Sequence, residues 1–195
     1  MNINKILSLA KQNSGYITGK QVKGIGLSTR YLTDLIEDGK IEKIKPGLYL
    51  ETSHMPDRFF EVLYNTAGIF SHATALYFHQ LTDRTPVTLD ITVSNHYNGS
   101  LQNNERVNLF YVKKELHSLG LTETKSSLDL PVKVYDAERT ICDIMRNEKK
   151  METEIFVSAL QRYAKSRSKK LNVLLKYASL LGVSDKIEEK LRILL

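Results

Sequence analysis

The chain has 195 residues, 42% hydrophobic and 26% charged, with a net charge of +6 and one cysteine. That is enough chain for one large domain or two small ones, each with its own core, while a lone Cys142 excludes an internal disulfide and a Cys-based zinc site. No run approaches the length of a membrane span, and residues 1–16, MNINKILSLAKQNSGY, are too polar for a signal peptide, so the expectation is a cytoplasmic protein without a membrane partner.

The chain opens with Ile3, Ile6, Leu7 and Ala10 at helical spacing, capped by Asn2 and ended at Asn13-Ser14-Gly15. Residues 18–50 then read as a helix-turn-helix and a hairpin. Thr18 caps a short helix with Val22 inward and Lys20, Gln21 and Lys23 toward solvent. Gly24-Ile25-Gly26-Leu27 forms the corner. Ser28 caps the second helix, whose apolar stripe is Leu32, Leu35 and Ile36, leaving Thr29, Arg30, Thr33, Asp34 and Glu37 outward. Gly39 stands where a helix ends in a left-handed residue.

From Lys40 the period changes: Ile41 and Ile44 alternate with charge, Pro46-Gly47 is a turn dipeptide, and Leu48-Tyr49-Leu50 is strand-like. A helix-turn-helix followed at once by a basic hairpin predicts a winged helix over residues 1–52. Its second helix would enter a major groove and its ribbon would follow the phosphates. In that arrangement Ser28, Thr29, Arg30 and Thr33 face the bases, Lys20 and Lys23 hold the backbone, and Lys43 and Lys45 anchor the wing. The competing reading is a protein-docking module with ordinary solvated lysines.

Residues 53–195 are expected to form a second, α+β domain with a small sheet and a helical C-terminal half. Pro56 opens a helix carrying Phe59, Phe60, Leu63 and Tyr64, and another spans residues 71–80. In residues 87–93 the odd positions are apolar and the even ones polar, predicting a half-buried strand. Further strands are expected at 107–112, 131–135 and, more weakly, 121–125. Asp136 caps a helix with Ile141, Ile144 and Met145 inward. Three helices follow: one carries Phe156, Ala159, Leu160 and Tyr163, the next Leu171, Leu174, Leu175 and Ala178 before Gly182. The last is capped by Ser184, with Ile187, Leu191 and Leu194 inward.

Charge is uneven. Residues 1–52 carry 8 Lys and Arg against 5 acids, 53–138 carry 7 against 10, and 139–195 carry 13 against 7. Two basic ends around an acidic middle suggest more than a single DNA contact. Arg162, Lys165, Arg167, Lys169 and Lys170, with Arg146, Lys149 and Lys150, form a candidate second nucleic-acid surface, to which Arg139 is added. The plain alternative for the run is a solvated turn at a helix C-terminus. For Arg139 and Asp143, one turn apart, it is an i,i+4 ion pair. His72 and His79 are too far apart to share a metal and read as structural, and Cys142 as buried and inert. No metal or cofactor is expected.

The helix-turn-helix, SHATALYFHQLTDRTPVTLDITV (71–93) and VYDAERTICDIMR (134–146) together resemble the AbiE-type (AbiEi) antitoxins of bacterial abortive-infection, type IV toxin–antitoxin systems. The resemblance implies an antitoxin that represses its own operon at promoter inverted repeats. It also implies antagonism of a nucleotidyltransferase toxin without a stable complex. No phosphate-binding, dinucleotide, zinc-protease or serine-hydrolase motif is present, nor the Gly-Ser or Gly-Gly turn and D-x-D pair of the toxin itself, so an enzyme is not expected. With no heptad pattern for a dimer, the expectation is a monomer in solution that pairs on its operator. The alternatives are a ligand-sensing winged-helix regulator and an RNA- or protein-binding adaptor.

Overall fold

The structure, a computed structural model, describes residues 2–194 and divides into two compact units. One comprises residues 1–65 with 125–132, the other residues 66–124 with 133–195. The fold is mixed α+β.

The first unit runs α1 (Asn2–Gln12), β1 (Tyr16–Thr18), α2 (Gly19–Gly24), α3 (Arg30–Glu37), β2 (Ile41–Lys45), β3 (Leu48–Glu51) and α4 (Arg58–Leu63). Thr18 caps α2 through a reciprocal capping box. Its hydroxyl accepts from the Gln21 amide, and the Gln21 side chain accepts from the Thr18 amide, so Gln21 is spent on the cap. The end of α3 is a Schellman turn. Gly39 has φ +65, its amide donates to the Ile36 carbonyl at 2.9 Å and the Lys40 amide to Leu35 at 2.9 Å. Asn2 is not a cap; it lies within α1 and donates to the Tyr31 hydroxyl, tying α1 to α3.

Ile6, Ala10, Ile17, Val22, Leu32, Leu35 and Ile41 form one core cluster. Ile36, expected inward, is 39% exposed, because a helix of only 8 residues keeps its buried stripe to Leu32 and Leu35. β1, three residues long and too short to show a period in the sequence, pairs antiparallel with β3, giving the sheet order β1-β3-β2. Tyr16, Leu48 and Leu50 of this sheet are buried with Leu130 and packed by Phe60 and Tyr64, which carries the unit past residue 52 into α4. The Tyr16 hydroxyl donates to Glu61 at 2.6 Å and accepts from the Asp57 amide at 2.7 Å. Asp57, rather than Pro56, starts α4 by accepting from the amides of Phe59 and Phe60.

In the second unit a five-stranded sheet has the order β6-β5-β4-β8-β7, with β4 Ile69–Phe70, β5 Leu89–Ser94, β6 Val107–Val112, β7 Leu121–Lys125 and β8 Pro131–Tyr135. The helices are α5 (His72–Phe78), α6 (Lys114–His117), α7 (Ala137–Arg146), α8 (Thr153–Lys165), α9 (Leu171–Leu181) and α10 (Ser184–Leu194). β5 is parallel to β6 and antiparallel to β4. Because the start of α5 covers its polar side, the alternation seen in the sequence does not make it half-exposed. Asp90 and Thr92 are buried, and Val87, at 86% exposure, precedes the strand. Buried polar groups need partners: the Thr92 hydroxyl bonds Ser71 at 2.8 Å, and Asp90 accepts from the Ala73 amide and the Asn108 side chain, each at 3.0 Å.

Asp136 caps α7 by accepting from the Arg139 amide at 2.7 Å. The helix is then buried from Glu138 to Met145, polar residues included. Ile141, Ile144, Met145, Phe156, Ala159, Leu160, Tyr163, Leu174, Ala178 and Ile187 share one core cluster. Leu175 is 45% exposed, replaced inward by Leu181. Ser184 is the first residue of α10 rather than its cap, and the side chains of Leu191 and Leu194 lie outside those described.

Candidate nucleic-acid interface

On α3, Leu32 and Leu35 point inward, so helical geometry turns Arg30, Thr33 and Glu37 together to the opposite face. All three are exposed. That face is basic only in its first turn, since Asp34 and Glu37 follow. Phosphates would be repelled by the second half of the helix, so only the end bearing Ser28, Thr29, Arg30 and Thr33 suits a nucleic acid. Ser28 is exposed, and its hydroxyl accepts from the Arg30 amide at 3.2 Å, which fixes the turn that presents Arg30. Thr29 is half-buried and makes no side-chain cap bond.

Lys20 and Lys23, one turn apart on α2, are exposed, as is Lys43 on β2. Lys45 differs from expectation. Its ammonium donates to the Val62 carbonyl at 3.2 Å, and burial holds its pKa below the usual lysine value against the pull of Glu61. It braces the hairpin against α4.

The other sequence-selected cations separate in space. Arg139 has no surface at all: it is 0% exposed, and its Nε meets both oxygens of Asp143 at 3.1 Å. Its Nη1 donates to the carbonyls of Leu116 and Leu119 at 2.8 and 2.9 Å, and the guanidinium lies 4.3 Å from the Tyr135 ring centre. The surface role for Arg139 is therefore corrected to an interior clamp, because an i,i+4 pair on a fully buried helix faces only protein. Burial raises the Asp143 pKa to about 6 in spite of that guanidinium.

Arg162 is paired with Asp83, and Lys169 donates to the carbonyls of Ala164 and Ser166 at the end of α8, the C-terminal role a lysine commonly takes. Lys165, Arg167 and Lys170 remain exposed. The Lys170 amide bonds Glu138 at the start of α7, whereas Arg146 is the last residue of that helix and Lys149 and Lys150 follow it. From Glu138 to Arg146 the helix rises about 12 Å, so these are two basic patches, not one.

His79 Nε2 is 2.6 Å from the Tyr135 carbonyl, and His72 is enclosed by Ser71, Asn147 and Phe110. Both histidines are thus occupied structurally. Cys142 is buried, with its thiol pushed up to about 12 by burial. Among the described residues no cluster of His, Cys, Asp and Glu could hold a metal ion, and no helix is long and apolar enough to cross a membrane.

Residues 4–52, which hold α1 to β3, match a family described as "Transcriptional regulator, AbiEi antitoxin". That match over residues 4–52 is consistent with an AbiEi-type antitoxin. The matched residues include every exposed candidate of the first surface. No curated protein matches the chain. The chain is similar in structure to the RV2827C protein from Mycobacterium tuberculosis, known from a crystal structure. The TM-score is 0.65 at 12% sequence identity, covering 98% of this chain and 80% of that one. That likeness bears on the fold alone.

Proposed function

We propose that this chain is a cytoplasmic, non-enzymatic antitoxin that also represses its own operon. In this reading α2, α3 and the β2–β3 hairpin act as a winged helix-turn-helix on operator DNA. The family match over residues 4–52 carries the proposal, supported by the exposed first turn of α3 with Lys20, Lys23 and Lys43 around it. Arg30 and Thr33 read base edges, Ser28 and Thr29 hold the approach of the helix, and the three lysines meet phosphates. Two copies of a monomer pair on inverted repeats. Antitoxicity is exerted against a nucleotidyltransferase toxin of a type IV, phage-resistance pair, without a stable complex.

Two experiments test this. A gel shift of the full-length chain on its own upstream DNA is expected to show a specific complex. Arg30→Ala should weaken it by about 1–3 kcal/mol while leaving random duplex nearly unchanged. Equal loss on both duplexes would remove Arg30 as a base reader. Separately, co-expression with a neighbouring nucleotidyltransferase toxin is expected to restore growth, and failure to do so would sink the antitoxin reading.

A further inference from the structure

The second unit contains a cleft of about 400 Å³, within the range that holds a small ligand. Its lining includes His72, Asp90, Asn108, Phe110, Asn147 and Lys150. Asp90 Oδ2 takes the Ala73 amide and Oδ1 takes the Asn108 side chain. A carboxylate oxygen has two acceptor sites, so each oxygen retains one, and the pair is suited to two adjacent N–H donors. The amide group of Asn147 is spent on the Asp143 carbonyl and on His72 Nε2 at 2.9 Å, which leaves its Oδ1 as a further acceptor.

His72 and Phe110 are stacked at 3.6 Å, a flat wall held rigid by the Asn147 and Ser71 bonds to the imidazole. At the rim, Lys150 is exposed and its ammonium has no partner among the described residues, while Arg84 is engaged by Glu152 and Glu154. The cleft thus joins buried acceptors, a flat wall and one uncommitted cation.

We propose that this cleft binds a guanine nucleotide, with Asp90 receiving the N1–H and N2–H edge of the base and Lys150 the phosphate. A carboxylate with one free site per oxygen matches that donor pair, and adenine, cytosine and uracil present no two adjacent donors on one edge. The guanidinium of free arginine shares the paired donors and is itself planar, so arginine is the competitor the test must separate from the nucleotide. The inference concerns the second unit only and holds whether or not the first binds DNA.

The test is calorimetric titration of the full-length chain with GMP, guanosine, IMP and L-arginine. GMP is expected to saturate one site. IMP, which lacks the N2 amine, should bind at least about tenfold more weakly, because a buried acceptor is left unpaired. Lys150→Ala should weaken GMP while leaving guanosine unchanged. Asp90→Asn should abolish GMP binding, with circular dichroism checking that α5 survives; if it does not, the IMP and Lys150 comparisons decide. Absence of saturation by GMP, equal affinity for IMP, indifference to Lys150→Ala, or binding of arginine in place of GMP would each overturn the proposal. A gel shift on the same preparation reports separately on the operator reading.

Discussion

Replacing Arg139 by Met tests whether the most buried cation in the protein is structural. The substitution removes two bonds to Asp143 and the donors to the Leu116 and Leu119 carbonyls, all within a 0% exposed site. Removing one member of a buried pair costs about 3–5 kcal/mol, against a typical domain stability of about 5–15 kcal/mol. With urea slopes of about 1–3 kcal/mol per molar, the midpoint followed by far-UV circular dichroism should fall by about 2 M. Arg139→Met with Asp143→Leu should recover most of the loss, since two apolar side chains leave no stranded charge. Arg146→Met, on the surface, should stay within about 0.5 kcal/mol of the parent.

The single variant has a pH signature too. Asp143 already holds its proton more tightly folded than unfolded, and loss of Arg139 strengthens that preference. Its contribution is therefore fully present below the unfolded pKa of about 3.9 and is lost as pH rises through the folded value. The Arg139→Met penalty should be smaller at pH 5 than at pH 8. A penalty under about 1 kcal/mol at neutral pH, or a double variant no better than the single, would refute the clamp.

Four further outcomes follow from individual positions. Gly120→Ala should cost about 2–5 kcal/mol: at φ +76 a Cβ would stand 2.5 Å from Arg139 Cβ and 3.2 Å from Asp136 Oδ1. Gly39→Ala, at φ +65 with open space around it, should cost only about 1 kcal/mol of backbone strain, as read by urea midpoints. Burial lowers His72 to about 3. The unfolded chain thus takes up a proton near pH 6.5 that the folded one refuses, and stability falls by about 1.4 kcal/mol for each unit that pH drops between those values. The difference between His72→Asn and the parent should show this slope, and a pH-independent difference would refute it. Tyr16→Phe leaves the Asp57 amide without its acceptor and should cost about 1–3 kcal/mol in the same unfolding assay.

Local chemistry determined much of this protein from sequence alone. Thr18, Gly39, Asp136 and Gly182 mark helix boundaries because capping and left-handed residues act over one turn. The apolar spacing of α8 selected its buried face correctly for the same reason. The pairing of Arg139 with Asp143, too, was legible from an i,i+4 spacing, although its location was not.

Tertiary structure decided whatever depends on what lies above a face. Periodicity showed Asp90 and Thr92 on the polar side of a strand, but covering that side made both buried anchors. The short strands β1 and β4, of 3 and 2 residues, carry no period to detect and exist through their partners β3, β5 and β8. The eight cations apart from Arg139 that composition grouped into one second surface were divided by the length of α7 and by the acids and carbonyls that claimed Arg162 and Lys169. Residue type says what a side chain is able to bind; only packing decides which of its bonding sites remain unspent, and that difference separates Lys45 from Lys43 and leaves Asp90 its free acceptors.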